Sequence, residues 1–351
     1  MPVRGKILNC LKADYNKIFA LAKEILSIPS PSGYTKQVVD FLANLCDKEG
    51  FKYERLNNGS FVVIVPGESD YTIGVGAHVD TLGAMISAIN SDGTLKFDKI
   101  GGPSLPTYDG EYCEVITRDG KKYSATFLCK AEAVHVYKNA GTMERNIDTM
   151  YIRLDELVHS KKDVLDLGIS NGDYVALDPK TTITPSGFIK SRFLDDKLSV
   201  AIIFELLKHF KKEKIMPKYT IKVIISTYEE VGFGSSYIPE VDEMLAVDMG
   251  CVGEHLEGSE EKVSICAKDS AGPYNYDINS KLISLAKELK LDYAVDVFPY
   301  YSSDVSAALR AGNNIKGALI GSGVAASHGM ERTHIKGVIN TFELLKAYLT
   351  N

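Results

Sequence analysis

Two histidines and several carboxylates stand where they could bind cations. His78 and Asp80 lie in GAHVDTLG, Asp195 and Asp196 in RFLDDKLS, and Glu229 and Glu230 close the run IISTYEE. Asp248 lies in AVDMG and His328 in SHGMERTH. On extended backbone, residues i and i+2 face one side. His78 could therefore bind a metal while Asp80 accepts the other ring N–H and fixes the tautomer. Two adjacent acids past an apolar strand are costly to bury unless something cationic receives them. Taken singly, each group has an ordinary reading: a surface histidine, a helix cap with first-turn charge, a solvated acidic turn. Together His78, Asp195, Glu230, Asp248 and His328 offer imidazole and carboxylate from separate segments, with no thiolate. That donor set suits zinc, cobalt or manganese. Two divalent ions sharing one carboxylate need about this many protein ligands, and each keeps an open position. Ions roughly 3.5–4 Å apart can hold a hydroxide and polarise a carbonyl. The remaining carboxylate, Glu229, would then be general base and later acid.

These residues need strands that end at one edge. The β-branched run before Glu229 reads as a buried central strand of a parallel sheet. In open α/β sheets, ligands sit at the carboxyl ends of such strands. Strands are expected near Tyr53, over Phe61 to Val65, Tyr71 to His78, Tyr219 to Ser226, Met244 to Val247, Val263 to Cys266, Tyr293 to Phe298 and Ile315 to Ile320. Helical spacing marks residues 6 to 27, then a helix capped by Thr35 and running to about Cys46. It marks further helices after Asp195–Asp196, over Leu282 to Leu289 and Ser303 to Leu309, and over Ile335 to Leu349. Between Ser87 and Pro185 the texture changes to short alternating runs separated by Asp-Gly, Gly-Gly and Asn-Gly dipeptides. This reads as a small all-β module, so the chain divides into a catalytic part, 1–86 with 186–351, and an insert, 87–185. His135 and His159 fall in the insert and read as structural.

The chain has 351 residues and a formal net charge of −6, which argues against a nucleic-acid partner. No apolar run is long enough to span a bilayer, and no signal-peptide core opens the chain. The cysteines at 10, 46, 113, 129, 251 and 266 form no CxxC pair. Scattered thiols without an export signal point to a reducing cytoplasm.

Over nearly its whole length the sequence resembles the glutamyl aminopeptidase-like co-catalytic metallopeptidases, metallopeptidase family 42 of the MH clan. The resemblance rests on SIPSPSGYT, GAHVDTLG, DGTLKFDKIGG, LGISNGDYV, RFLDDKLS, STYEEVG, AVDMG, YSSDVSAA and SHGMERTH. It implies an α/β fold: a mixed-sheet zinc-peptidase catalytic domain carrying a small β-barrel-like insert used in oligomerisation and substrate access. It implies two divalent ions per subunit, with zinc the first choice and cobalt or manganese the alternatives. The ligands would be His78, Asp195, Glu230, Asp248 and His328, with Asp195 bridging and His334 the rival to His328. Glu229 would be the base and Asp80 the carboxylate behind His78. A cis peptide is expected between Asp195 and Asp196. The implied activity is removal of N-terminal residues from short peptides by a cytoplasmic homo-oligomer, a dodecamer built from dimers. The alternatives are a deacylase acting on N-acyl amino acids and an inactive metal-binding scaffold. Thr81-Leu82-Gly83 and Tyr301-Ser302-Ser303 depart from the family pattern beside the substrate region.

Overall fold

A computed structural model describes residues 15–351. The start of the expected first helix, with Cys10, lies outside the described residues. Residues 15–26 are helical (α1), followed by α2 (Lys36–Glu49). Thr35 precedes α2 as expected, but its side chain makes no capping bond, and the helix runs past Cys46 to a left-handed Gly50. Glycine tolerates that conformation at no steric cost.

The main sheet has eight strands in the order β1-β2-β12-β3-β13-β16-β14-β15. Its centre is built from the apolar runs β12 (Tyr219–Ser226), β3 (Ser69–His78), β13 (Glu243–Cys251) and β16 (Lys316–Val324), parallel to one another. β2 (Phe61–Val65), with β1 (Lys52–Arg55) beyond it, joins antiparallel, as does β14 (Val263–Lys268), so the sheet is mixed. β15 (Tyr293–Val297) closes the far edge. Strand residues alternate between faces, and two cores result. Val223, Ile225, Leu245 and Val247 pack with α1, α2, α4 (Leu194–Glu213) and α7 (Ile335–Thr350). Ile224, Met244 and Ala246 pack on the other side with Val305 and Ala308 of α6 (Asp304–Arg310). Because the central strands are parallel, their carboxyl ends share one edge, and the candidate site lies there.

The expected strand over Met244 to Val247 is longer than its apolar core. β13 continues to Cys251, so Asp248 lies inside the strand and not after it. Pairing with β3 stops at Ala246 while pairing with β16 goes on. Asp248 therefore emerges beside the end of β3. A further strand, β17 (Glu331–His334), pairs with β11 (Phe188–Ser191) in a small separate sheet.

A closed barrel interrupts this framework, with strand order β4-β5-β8-β7-β6-β9, in which β5 is Leu95–Ile100, β6 Tyr112–Ile116, β7 Lys122–Cys129 and β8 Met150–Leu154. It runs from β4 (Gly83–Ile89) to β9 (Tyr174–Leu177), so its first strand begins before residue 87. Phe97 and Phe127 meet edge-on at 5.0 Å in its core. The module is not purely β: α3 (Lys161–Asp166), capped by Ser160, packs Val164 into the barrel. His135 and His159 lie on the exposed surface.

Candidate metal centre

His78 is the last residue of β3 and is almost fully buried. Its Nδ1 lies 3.0 Å from the Asp80 carbonyl oxygen. A ring N–H donating there leaves Nε2 as the free lone pair, facing Asp195 Oδ1 at 3.1 Å and Glu229 Oε2 at 3.7 Å. The tautomer is thus held by a main-chain carbonyl. The Asp80 carboxylate stands farther off, at 3.5 Å, and does something the sequence did not suggest. Its two oxygens accept the backbone N–H groups of Glu229 and Glu230, at 3.1 and 3.3 Å. Ser32 Oγ donates to it as well, at 2.5 Å. Asp80 therefore holds the 229–230 turn in place under β3.

Asp195 and Asp196 open α4 in non-helical conformations, and the peptide between them is cis. Asp195 Oδ1 faces His78 and Oδ2 faces His328 Nε2 at 3.6 Å. His328 Nε2 is also 3.5 Å from Glu230 Oε2. His328 sits at φ +62°, a conformation rare outside glycine and maintained only where the surroundings impose it. Three groups do so. Its N–H donates to Glu331 Oε1 at 3.1 Å, its carbonyl accepts from Ser104 N at 3.1 Å, and its Nδ1 lies 2.9 Å from the Gly102 carbonyl. Gly102 and Ser104 belong to the segment between barrel strands, so the insert orients a side chain of the site. Arg192 ties the same segment down, donating to the carbonyl oxygens of Thr107 and Gly329.

His334 is elsewhere. It precedes α7, where Nδ1 accepts from Lys336 N, Nε2 lies 3.0 Å from the Ser186 carbonyl, and the ring packs on Phe188. Among the described residues, donor atoms of His78, Asp195 and Glu230 converge within 4.8 Å, as do those of His78, Asp196 and Asp248. Two buried acids in this cluster had no expected part. Glu331 accepts the main-chain N–H groups of both Asp195 and His328. Asp196 Oδ2 accepts His78 N, while its Oδ1 is buried without a partner. Glu331 could have been suspected from the acid inside SHGMERTH; Asp196 was visible only as a helix-start charge.

The electrostatics show which kind of ligand this donor set suits. Among the described residues, only His78 and His328 lie within ion-pair distance of the cluster's carboxylates. Burial, then neighbouring negative charge, raises Glu230 and Glu331 well above the carboxylate range. Glu229 and Asp196 are likewise raised, by burial first and then by mixed nearby charges. Burial and Asp195 push Asp248 up to about 7. Burial opposes a charge on His78, yet hydrogen bonding to Asp195 and Asp80 and the charge of Glu229 raise it well above its usual value. Uncompensated buried carboxylates cost several kcal/mol each. Imidazole Nε2 atoms and carboxylate oxygens turned inward, with no lysine or arginine among them, fit divalent cations.

This is the architecture of an α/β metallohydrolase with an inserted barrel, and comparison with known proteins narrows it. The sequence pattern of the M42 glutamyl aminopeptidases matches residues 59–344. The chain is 46% identical over 336 residues to the Bacillus subtilis protein YhfE, provisionally named an aminopeptidase, covering 95% of this chain and 97% of that one. It is 23% identical over 345 residues to the lysyl aminopeptidase of Pyrococcus furiosus, covering 94% and 96%. Its fold matches that of the Pyrococcus horikoshii TET1 peptidase with a TM-score of 0.83 at 20% identity, over 95% of this chain and 99% of that one. The chain belongs to the M42 glutamyl aminopeptidase family and is a peptide-bond hydrolase of the aminopeptidase class.

Proposed function

We propose that the protein is a dinuclear metalloaminopeptidase in which Glu229 is the general base. The observation that carries this reading is the division of Asp195 between two imidazoles, Oδ1 toward His78 and Oδ2 toward His328. One ion would be held by His78, Asp195 and Asp248, the other by His328, Asp195 and Glu230. When bound, the ions supply positive charge that acidifies water and polarises the scissile carbonyl. The chain's residues do the rest. Asp80 fixes the backbone from which both Glu229 and Glu230 project. Glu229, less deeply buried than Glu230, takes the proton of the attacking water at its carboxylate and passes it to the leaving amine nitrogen. Gly102 and Asp80 carbonyls hold the two imidazoles in the tautomer that presents Nε2. Short peptides are the substrates.

The barrel supports a homo-oligomeric reading. It exposes Val134, Val136, Tyr137 and Leu157, large apolar side chains of the kind that contact sites bury. The Pyrococcus horikoshii relative is described as assembling into a tetrahedron or a large octahedral shell. A dodecamer built from dimers, working in the cytoplasm, is the corresponding proposal. A panel of aminoacyl-p-nitroanilides and N-acyl amino acids, assayed with zinc, cobalt or manganese, tests the activity. Turnover of the anilides alone is expected. Turnover of the N-acyl compounds alone would make the enzyme a deacylase.

A further inference from the structure

Glu229 and Glu230 ride on the 227–234 loop. The chain leaves β12 at Ser226, makes one 3-10 turn over Glu229–Val231 and reverses at Gly232, where φ is +88°. The two ends of the loop then meet on one side chain. Ser226 Oγ donates to Asp304 Oδ2 at 2.6 Å, and Ser235 N donates to Asp304 Oδ1 at 3.0 Å. Ser226, Ser235 and Asp304 are all buried. A single carboxylate thus closes the neck of the loop. The neck is tight as well: a Cβ at Gly234 would lie 2.5 Å from Asp304 Oδ1, 2.7 Å from Ser226 Oγ and 2.8 Å from Glu229 N. The backbone at Gly234 therefore packs directly against the amide of Glu229.

Asp304 can act as a fixed point because the start of α6 is itself anchored. Ser303 Oγ shares a hydrogen bond with the Tyr274 hydroxyl at 2.7 Å, and Ser306 Oγ donates to Asp269 Oδ2. Val305 packs into the apolar core on that face of the sheet. Two carboxylates then hold the loop at different places. Asp80 takes the amides of Glu229 and Glu230, and Asp304 takes the two ends. A general base works only within hydrogen-bond reach of the proton it removes, and a displacement of about 1 Å can cost roughly 10²-fold in rate.

We propose that Asp304 is a positioning residue for the reaction: by tying Ser226 to Ser235 it closes the loop that presents Glu229 to the attacking water. This rests on the reading of Glu229 as the base. The tie needs a planar group with two polar atoms, not a charge. An asparagine can accept from Ser235 N with its carbonyl oxygen and donate to Ser226 Oγ with its amide nitrogen. Alanine can do neither.

The test uses the full-length protein at saturating zinc, with two readouts. One is hydrogen exchange of the loop amides, and the other is hydrolysis of an aminoacyl-p-nitroanilide. Asp304→Ala should speed exchange over 228–235 and lower kcat by roughly 10²-fold. KM and metal content should hold, because Asp80 still binds the Glu230 amide. Asp304→Asn should restore slow exchange and most of kcat. Adding Asp304→Ala to Glu229→Gln should cost no further activity, since residues that act as one unit are not additive. Thermal unfolding checks that each variant is folded. Should Asp304→Ala not fold, Ser226→Ala removes one arm of the tie and decides in its place, with a smaller loss of the same kind. Unchanged exchange and kcat in Asp304→Ala would overturn the proposal. So would equal damage in Asp304→Asn, which would make the charge the cause, or a kcat loss matched by loss of metal. A further loss in the double variant would overturn it too. If Glu229→Gln alone turns over normally, the base reading falls. The tie then stands if exchange speeds in Asp304→Ala but not in Asp304→Asn, and falls otherwise.

Discussion

Glu229 and Glu230 are neighbours with different surroundings. Glu230 is packed against His328 and the Gly101 backbone, while Glu229 faces His78 from a more open position. Glu229→Gln keeps the shape and removes the proton acceptor, so kcat should fall by roughly 10²–10⁴-fold with metal content unchanged. Metal analysis beside the kinetics checks this, and near-normal turnover with metals bound would move the base elsewhere. The two histidines of SHGMERTH should also separate. His328→Ala should lower metal occupancy. His334→Ala should leave it intact and cost about 1 kcal/mol of stability, because His334 Nδ1 accepts the first free N–H of α7. Metal content and thermal unfolding of both variants decide it. That the histidines and strand-end acids gather in one place was legible from their combination, since each alone has an ordinary reading but five such groups at strand ends and one helix start converge on one sheet edge. Asp80 was harder. The i,i+2 spacing suggested a ring partner, but the nearest acceptor for His78 is the carbonyl of the same residue, and the carboxylate turns to the Glu229–Glu230 backbone. Spacing along one strand says nothing about a turn that arrives from another.

At the scale of elements, apolar periodicity located the strands of the main sheet and five of the six barrel strands, missing β4, because burial on one or both faces leaves a pattern in the sequence. It misplaced features that depend on pairing. β13 outlasts its apolar core because β16 continues beside it, and β17 is a polar four-residue strand whose only signature is its partner β11. The barrel also does more than the sequence suggested. Its 101–104 segment carries the carbonyl that meets His328, and Gly101 there has φ +76°. A Cβ at Gly101 would lie 2.5 Å from Leu82 Cδ2 and 3.2 Å from the Glu230 carbonyl oxygen. Gly101→Ala should therefore cost about 1–3 kcal/mol and weaken metal retention, although it lies outside the donor set. Unfolding temperature and metal content measure both effects. A stable variant with full metal content would show that the segment adapts without disturbing His328.

For the whole molecule, the insert is joined to the site on one side and exposes Val134, Val136, Tyr137 and Leu157 on its own surface. Light scattering of the intact protein should find an oligomer, and replacing Val134 and Val136 with aspartate should reduce its size. A monomer that still cleaves peptides would remove the assembly claim and leave the chemistry standing. The chemistry itself rests on the excess of buried carboxylates, which two imidazoles cannot neutralise. Divalent ions should therefore bind tightly, compete with protons for these groups and be required for turnover. The direct measurement is titration of chelator-stripped protein with zinc while hydrolysis of an aminoacyl-p-nitroanilide is followed. A two-ion centre requires no turnover without metal and full turnover reached at two ions per chain. Undiminished turnover in the stripped protein, or full turnover at a single ion, would contradict it.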